Sequence, residues 1–263
     1  MTEPAGQVTS QVSGQITEDA FLGGRLRLRQ PKSGHRAGHD AMLLAAATPA
    51  RPGQRVVDFG AGVGAAGLAV ARRVTGIELV LVEIDAGLAA LARDNAAANA
   101  IGAEVIVLDL TSAADAFAAS GLPPDSVDAV LMNPPFNDPA RHRASPDQAR
   151  SVAHVATAAT LEGWVHAARR ILKSGGVLSL IWRADGISEL LAALDRGFGS
   201  LVILPVHGDA TMPAIRVLVR AVKGGRAPTQ IHAALLLNDE RGTPNRQVQD
   251  VLAGTSALPL ALI

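Results

Sequence analysis

A glycine-rich turn in the first half of the sequence could hold a nucleotide-like ligand. Gly60, Gly62 and Gly64 stand between an apolar run that predicts a strand and an alanine-rich run that predicts a helix. Glycine permits both the tight turn and the close approach of backbone to ligand that such a site needs. The simpler alternative is a turn that only packs the helix on the strand.

Acidic residues end the first three predicted strands and make this turn more specific. Asp58 ends the first strand, Glu83 the second and Asp109 the third. A carboxylate at the second position can accept hydrogen bonds from both hydroxyls of a ribose, and Asp109 is placed to meet an adenine amino group. The cofactor-binding residues predicted at these strand ends are Asp58, Gly60, Gly62, Gly64, Glu83, Ile84, Asp109 and Leu110.

Two cofactor classes compete for this pattern. Gly62, Gly64 and Gly67 also match the G-x-G-x-x-G spacing of dinucleotide-binding dehydrogenases. A pyrophosphate needs a free helix N-terminus, however, and a carboxylate at Asp58 would sit poorly beside that anion. The acid before the first glycine, the acidic end of the third strand and a late antiparallel strand together favour S-adenosylmethionine.

The fourth predicted strand ends in a tetrapeptide that could activate a nitrogen. An exocyclic amine or amide nitrogen is a weak nucleophile because its lone pair is delocalised, so acceptors that draw on its protons help it to react. Asn133 Oδ1 and the Pro134 carbonyl can be those acceptors, since prolines stiffen the backbone, and Phe136 offers a stacking face for a flipped base. The predicted catalytic residues are Asn133, Pro134, Pro135 and Phe136, with Asn133 also touching the cofactor. The alternative is a Pro-Pro turn that ends a strand.

The order of elements predicts the scaffold that positions these residues. Beyond residue 53, apolar strands alternate with alanine-rich helices, which predicts an α/β fold with helices on both faces of a mostly parallel, seven-stranded sheet. The runs at 201–206 and 215–221 are joined by only eight residues, too few for a parallel crossover, so the last strand is predicted to be antiparallel. This arrangement is typical of the Rossmann-like class I methyltransferase fold.

The same pattern divides the chain into four parts. We predict a flexible N-terminal tail over residues 1–20, an N-terminal cap segment over 21–53, a methyltransferase domain over 54–223, and a C-terminal appendage over 224–263 that packs on the sheet edge. Asp40 is also expected to cap the first helix of the cap segment.

Composition excludes several classes of protein. The 263 residues include no cysteine, so disulfides, thiolate metal sites and cysteine nucleophiles are excluded. The first twenty residues lack the apolar core of a signal peptide, and no apolar run is long enough to span a membrane. We therefore expect a cytoplasmic protein with no membrane partner. No metal is expected either, because the seven histidines form no convincing ligand pattern.

A second motif precedes the first strand of the predicted domain. Between Gln30 and Leu44 the sequence contains Gly38, Asp40, Leu43 and Leu44 at the spacing Gly-x-Asp-x-x-Leu-Leu. With the tetrapeptide, this segment resembles the bacterial tRNA1(Val) adenine-37 N6-methyltransferase family over most of residues 21–223. The resemblance implies S-adenosylmethionine as cofactor, tRNA as partner, and an early segment that closes over the cofactor through Arg36, Gly38 and Asp40.

Basic residues on either side of the glycine-rich turn are candidates for RNA contact, although a solvated charged strand face is an equal alternative. They are Arg25, Arg27, Arg29, Lys32, Arg141 and Arg143.

The leading interpretation is thus an enzyme that methylates adenine N6 in a tRNA loop. A glutamine N5-methyltransferase acting on a translation factor, and a non-catalytic module of the same fold, are the alternatives. Trp164 and Trp182 are expected to fill the core, and the oligomeric state is left open.

Overall fold

The computed structural model describes residues 16–32, 36–135 and 146–262, with the backbone alone for residues 146–158. It begins with a hairpin of two antiparallel strands, β1 (Ile16–Phe21) and β2 (Leu26–Pro31). Within the described ranges, no helix combines the length and the apolar character needed to cross a bilayer.

The main sheet has nine strands among the described residues. They are β3 (Arg55–Phe59), β4 (Glu78–Glu83), β5 (Ala103–Val107), β6 (Val127–Met132), β7 (Leu172–Arg183), β8 (Phe198–His207), β9 (Ala214–Lys223), β10 (Gln230–Ile231) and β11 (Leu235–Leu236). Their order is β10-β8-β9-β7-β6-β3-β4-β5, and β11 also pairs with β8.

The sheet confirms the predicted fold class. Strands β3 to β7 pair with one another in parallel, whereas β9 lies between β7 and β8 and is antiparallel to both. Seven strands match the predicted sheet. The other two, β10 and β11, are extra pairs of residues that run parallel to β8 at one edge.

Helices cover both faces, as predicted. They are α1 (His39–Ala47), α2 (Ala65–Arg73), α3 (Ala86–Ala98), α4 (Ala114–Ala119), α5 (Pro146–Ile171), α6 (Ile187–Leu194) and α7 (Arg246–Leu252). One buried cluster includes Met42 of α1 and Leu68 of α2, and the other includes Phe117 of α4 and Leu161 of α5. These two apolar layers fix the strand ends that carry the candidate site.

The hairpin corrects the predicted N-terminal tail. Residues 16–20 belong to β1, where Glu18 lies opposite Arg29. The Asp19 carboxylate accepts hydrogen bonds from Gln30 Nε2 at 2.8 Å and Arg36 at 2.7 Å. The predicted flexible tail therefore extends too far. Residues 16–20 form a strand through polar partners outside the segment, and the segment itself has no apolar alternation that would have predicted a strand.

Asn95 of α3 and Asn99, the C-cap residue of that helix, bind the other edge of the hairpin. Asn95 Oδ1 accepts from the Arg29 backbone N–H at 2.7 Å, and Asn95 Nδ2 donates to the carbonyls of Arg29 and Val63, each at 3.0 Å. Asn99 makes the corresponding pair of bonds with Arg27. Side-chain amides thus stand where a third strand would pair, and Asn95 ties the hairpin to the glycine-rich turn.

Residues 224–262 pack on the sheet edge and on α1. Besides β10 and β11, the Leu258 backbone N–H donates to the Ala46 carbonyl at 2.8 Å, and Arg220 of β9 donates to the Leu260 carbonyl at 3.0 Å. The division of the chain into four parts stays a prediction.

Candidate active site

A cleft with two lobes opens at the C-terminal ends of the parallel strands. The Glu83 lobe has a volume of about 220 Å³ and is lined by Gly60, Gly62, Val82, Glu83, Ile84, Leu88, Leu108, Asp109, Leu110, Asn133, Pro135 and Trp164. The Asp58 lobe has a volume of about 330 Å³ and is lined by Arg36, Ala37, Gly38, His39, Asp40, Ala41, Asp58, Gly60, Ala61, Gly62, Val63, Ala65, Ala66, Leu88 and Asn133. Together the lobes fall within the roughly 300–1,000 Å³ of small-molecule sites.

The cleft brings together nearly all the residues predicted to bind cofactor. Gly64 is the exception, since it lines neither lobe. It precedes α2 at φ 88°, and a Cβ there would lie 3.1 Å from the side chains of Leu68 and Leu81. Its role is to pack the helix on the sheet. Of the two prolines, Pro135 lines the Glu83 lobe and Pro134 lines neither lobe.

Glu83 is held in place by the backbone of the turn it faces. Its Oε2 accepts from the Gly62 N–H at 2.7 Å and its Oε1 from the Asp85 N–H at 2.9 Å. Each carboxylate oxygen can accept two hydrogen bonds, so both keep capacity for ligand hydroxyls. The neighbouring Ile84 side chain is 63% exposed, an apolar surface that a flat ring could cover.

Asp109 lies beyond the strand that it was predicted to end. Strand β5 stops at Val107, and Asp109 Oδ1 accepts from the backbone N–H and the hydroxyl of Thr111 at 2.8 and 2.7 Å. This local turn competes with continued strand pairing. Asp109 still lines the Glu83 lobe, beside Leu110.

Asp58 is a buried carboxylate beneath the other lobe. Only 3% of its surface is exposed, and its Oδ2 accepts from the Gly67 N–H in the first turn of α2 at 2.8 Å. Burial raises the pKa of Asp58 to about 7; the Gly67 hydrogen bond opposes this shift, and the nearby Glu83 charge adds to it. The site therefore holds a carboxylate that a cationic ligand group would stabilise in its charged form.

Asn133 lies where the two lobes meet. Its Oδ1 is buried and has no hydrogen-bond partner within the described residues. A buried acceptor without a partner lowers the stability of the fold by about 1–3 kcal/mol, unless a ligand supplies a donor. An amine or amide N–H of an acceptor molecule would supply one.

The cap segment forms the outer wall of the Asp58 lobe. Arg36 donates to Asp19, to Thr17 Oγ1 at 3.0 Å and to the Pro31 carbonyl at 2.7 Å, which fixes the segment against the hairpin. The prediction that Asp40 caps α1 is wrong. Gly38 is the N-cap, and the Asp40 carboxylate lies inside the first turn and accepts from Arg216 Nε of β9 at 3.0 Å.

Trp164 and His39 are among the cleft residues that sequence reasoning missed. Trp164 of α5 is only partly buried: it packs against the buried cluster that includes Phe117 and also lines the Glu83 lobe, whereas Trp182 is fully buried as predicted. His39 lines the Asp58 lobe. An aromatic residue on a helix that follows the tetrapeptide was the available signal for Trp164, but its distance in sequence from the turn hid the contact.

We expect Gly60→Ala to destabilise the fold more than Gly62→Ala. Both glycines have positive φ, 63° and 57°, and so share the cost of placing a side chain in that region. A Cβ at residue 60 would lie 2.3 Å from Trp164 Cη2, whereas a Cβ at residue 62 meets nothing within 4 Å. Overpacking should lower the free energy of unfolding of Gly60→Ala by about 1–3 kcal/mol more, measured in urea. Equal losses would contradict the Gly60–Trp164 contact.

The candidate RNA contacts of the hairpin are largely bound by the protein itself. Arg27 and Arg29 pair with Glu18 at 3.3 and 3.8 Å, and Arg25 donates to the carbonyls of Leu22 and Ala253. Lys32 is exposed at the end of β2. The predicted residues Phe136, Arg141 and Arg143 lie outside the described residues. Among those that are described, no group of three metal-ligating side chains occurs.

Comparisons with known proteins place the chain in a family. The model of the methyltransferase small domain matches residues 33–205. A tRNA1(Val) (adenine(37)-N6)-methyltransferase from Erwinia tasmaniensis is 31% identical over 186 residues, which cover 70% of this chain and 74% of that protein. A shorter match, 40% identical over 86 residues, joins 33% of this chain to 23% of a ribosomal RNA small subunit methyltransferase C from Stutzerimonas stutzeri.

The solved structures agree with this assignment. A protein from Agrobacterium tumefaciens, described as a predicted O-methyltransferase, is 35% identical with a TM-score of 0.70, over 83% of this chain and 98% of that one. The chain therefore belongs to the methyltransferase small domain family, is a methyltransferase, and is related in sequence to the bacterial tRNA1(Val) (adenine(37)-N6)-methyltransferases.

Proposed function

We propose that the chain is an S-adenosylmethionine-dependent N-methyltransferase that acts on an adenine N6 in a single-stranded tRNA loop. The observation that carries this proposal is the buried Asn133 Oδ1, which lacks a partner in the described chain and lies where the two lobes join. The similarity to tRNA1(Val) methyltransferases supports the choice of substrate. A cytoplasmic location is part of the same proposal.

The cleft fits the proposed cofactor in both lobes. S-adenosylmethionine, when bound, supplies a methyl group activated by a sulfonium sulfur. We assign Glu83 to the ribose hydroxyls, Asp109 to the adenine amino group, and Ile84 and Leu110 to the faces of the adenine. At the other end, Asp58 attracts positive charge, while Arg36, Gly38 and Asp40 close the lobe.

A dinucleotide fits this cleft less well. The first N–H groups of a helix have no partner within the helix. One of them in α2, that of Gly67, already donates a hydrogen bond to the Asp58 carboxylate. A pyrophosphate would have to approach that same helix end. The negative charge of Asp58 would repel it.

The tetrapeptide would act on the acceptor nitrogen. Asn133 Oδ1 and the Pro134 carbonyl would accept hydrogen bonds from the two N–H groups of the amine and so increase the electron density available on N6. No strong base is needed, because the methylated nitrogen loses its extra proton readily to water. Phe136, outside the described residues, remains our candidate for stacking on the base. A looped base costs little to unstack, which suits a rigid pocket.

One experiment separates the candidate acceptors. The protein is incubated with isotope-labelled S-adenosylmethionine and either unmodified total tRNA or a protein extract, and the products are analysed by mass spectrometry. We expect N6-methyladenosine in the tRNA and no product after ribonuclease treatment. Methylglutamine in a protein would support the translation-factor alternative instead, and an O-methylated product would support the acceptor class named for the Agrobacterium protein. Calorimetric binding of NAD without binding of S-adenosylmethionine would refute the cofactor assignment.

A further inference from the structure

A second groove continues from the cleft along α5. It has a volume of about 670 Å³ and lies between α5, the segment that follows β5, and the end of α6. Leu110 lines both this groove and the Glu83 lobe. The groove and the cleft therefore lie on two sides of the same residue.

The groove is lined by three arginines and one carboxylate. Arg169 donates to the Arg196 carbonyl at 2.7 Å, and Arg170 donates to the Ser112 carbonyl at 3.2 Å while stacking over the Phe117 ring at 4.3 Å. Arg196 pairs with Glu162 at 3.2 Å. Arg169 and Arg170 have no carboxylate partner in the part of the chain that the structure describes.

This arrangement differs from that of three arginines in and next to the hairpin. Glu18 is shared by Arg27 and Arg29, and Asp19 pairs with Arg36, so the charges of these three are partly compensated. A neutral carbonyl orients a guanidinium group without cancelling its charge. Arg169 and Arg170 thus remain available to anions, and their side chains are ordered before any ligand arrives, which lowers the entropic cost of binding.

We propose that this groove binds the phosphates of the RNA strand next to the target nucleotide. The inference rests on the proposed function, because it assigns a path to the RNA that the cleft would methylate. Guanidinium groups match phosphate geometry, and the groove has a surplus of positive charge in a chain whose net charge is zero. Such contacts are independent of sequence and position the strand; base contacts in the cleft select the nucleotide.

The test compares two arginines that are bound alike. Arg93 of α3 also donates to a backbone carbonyl, that of Val105 at 3.0 Å, but lies outside the groove. With a tRNA1(Val) transcript as probe, Arg169→Gln should raise Kd and KM roughly tenfold and lower the slope of log K against log salt by about one unit. Arg93→Gln should change neither. Glu162→Gln should tighten binding by removing the one carboxylate of the groove.

The readouts keep the two proposals apart. Thermal unfolding and S-adenosylmethionine affinity of each variant show whether the fold and the cleft are intact. If the wild-type protein methylates the transcript but Arg169→Gln binds it with unchanged affinity and salt dependence, the groove proposal is wrong and the proposed function stands. If the wild-type protein neither binds nor methylates RNA, both proposals fail together.

Discussion

Replacing Asn133 by alanine is expected to lower kcat by at least about a hundredfold while changing the affinity for S-adenosylmethionine by no more than about threefold. The amide oxygen acts on the acceptor amine as positive charge develops there, so its loss raises the barrier to transfer far more than it affects cofactor binding. Single groups that stabilise charge in a transition state contribute about 10²–10³ to kcat. Single-turnover methyl transfer and calorimetry measure the two quantities.

Stability provides an independent check on this prediction. Asn133 Oδ1 is buried without a partner in the described structure, so Asn133→Ala should leave the free energy of unfolding unchanged or increase it. Asn133→Asp, which keeps an acceptor oxygen, should retain part of the activity. Survival of turnover within a few-fold in Asn133→Ala, or a marked loss of stability, would mean that Asn133 is only a structural cap.

Asp58→Asn is expected to weaken cofactor binding by at least about tenfold and, at neutral pH and above, to stabilise the protein without ligand. The carboxylate faces the lobe proposed for the cationic end of the cofactor, and interactions with a charged group contribute about 1.5–3 kcal/mol. Without ligand, the same buried charge is unfavourable. Asparagine can still accept the Gly67 N–H through its amide oxygen.

The pH dependence follows from the direction of the shift. The pKa of Asp58 is about 7 in the fold, above the ordinary value of 3.8. Its contribution to stability is therefore complete below about pH 4 and is lost as pH rises through 7, at most about 1.4 kcal/mol per pH unit. The stability advantage of Asp58→Asn should grow over the same interval.

Cofactor affinity of the wild-type protein should rise with pH up to about 7, with proton release on binding near pH 6.5. Affinity independent of pH would argue against an ionised Asp58 in the complex.

The sequence predicted the parts of the site that depend on local pattern. The alternation of apolar strands and alanine-rich helices determines which strand ends lie together, so Asp58, Glu83 and Asn133 could be assigned to one edge of a parallel sheet before any coordinates. The glycine spacing indicated the turn between them, because that conformation is open to few other residues.

Other features depend on contacts between distant segments and could not be predicted locally. Strand β1 contains Glu18, Asp19 and Ala20, which have little strand propensity, and it forms because β2 and Arg36 supply partners. The position of Trp164 depends on how α5 is rotated against Gly60, about a hundred residues earlier. The Asp40–Arg216 pair joins residues 176 positions apart.

The order of the strands in the sheet determines when each strand can pair during synthesis of the chain. Strand β8 is made before β9, yet it reaches the sheet only through β9, which lies between it and β7. During synthesis, β7 therefore presents an unpaired edge until residues 214–223 have left the ribosome, and such edges invite pairing with other chains. The strands that carry the cleft, β3 to β6, can already be paired by then. If synthesis stops or pauses before residue 214, the chain would thus have its cleft strands paired and the edge of β7 open to pairing with other chains.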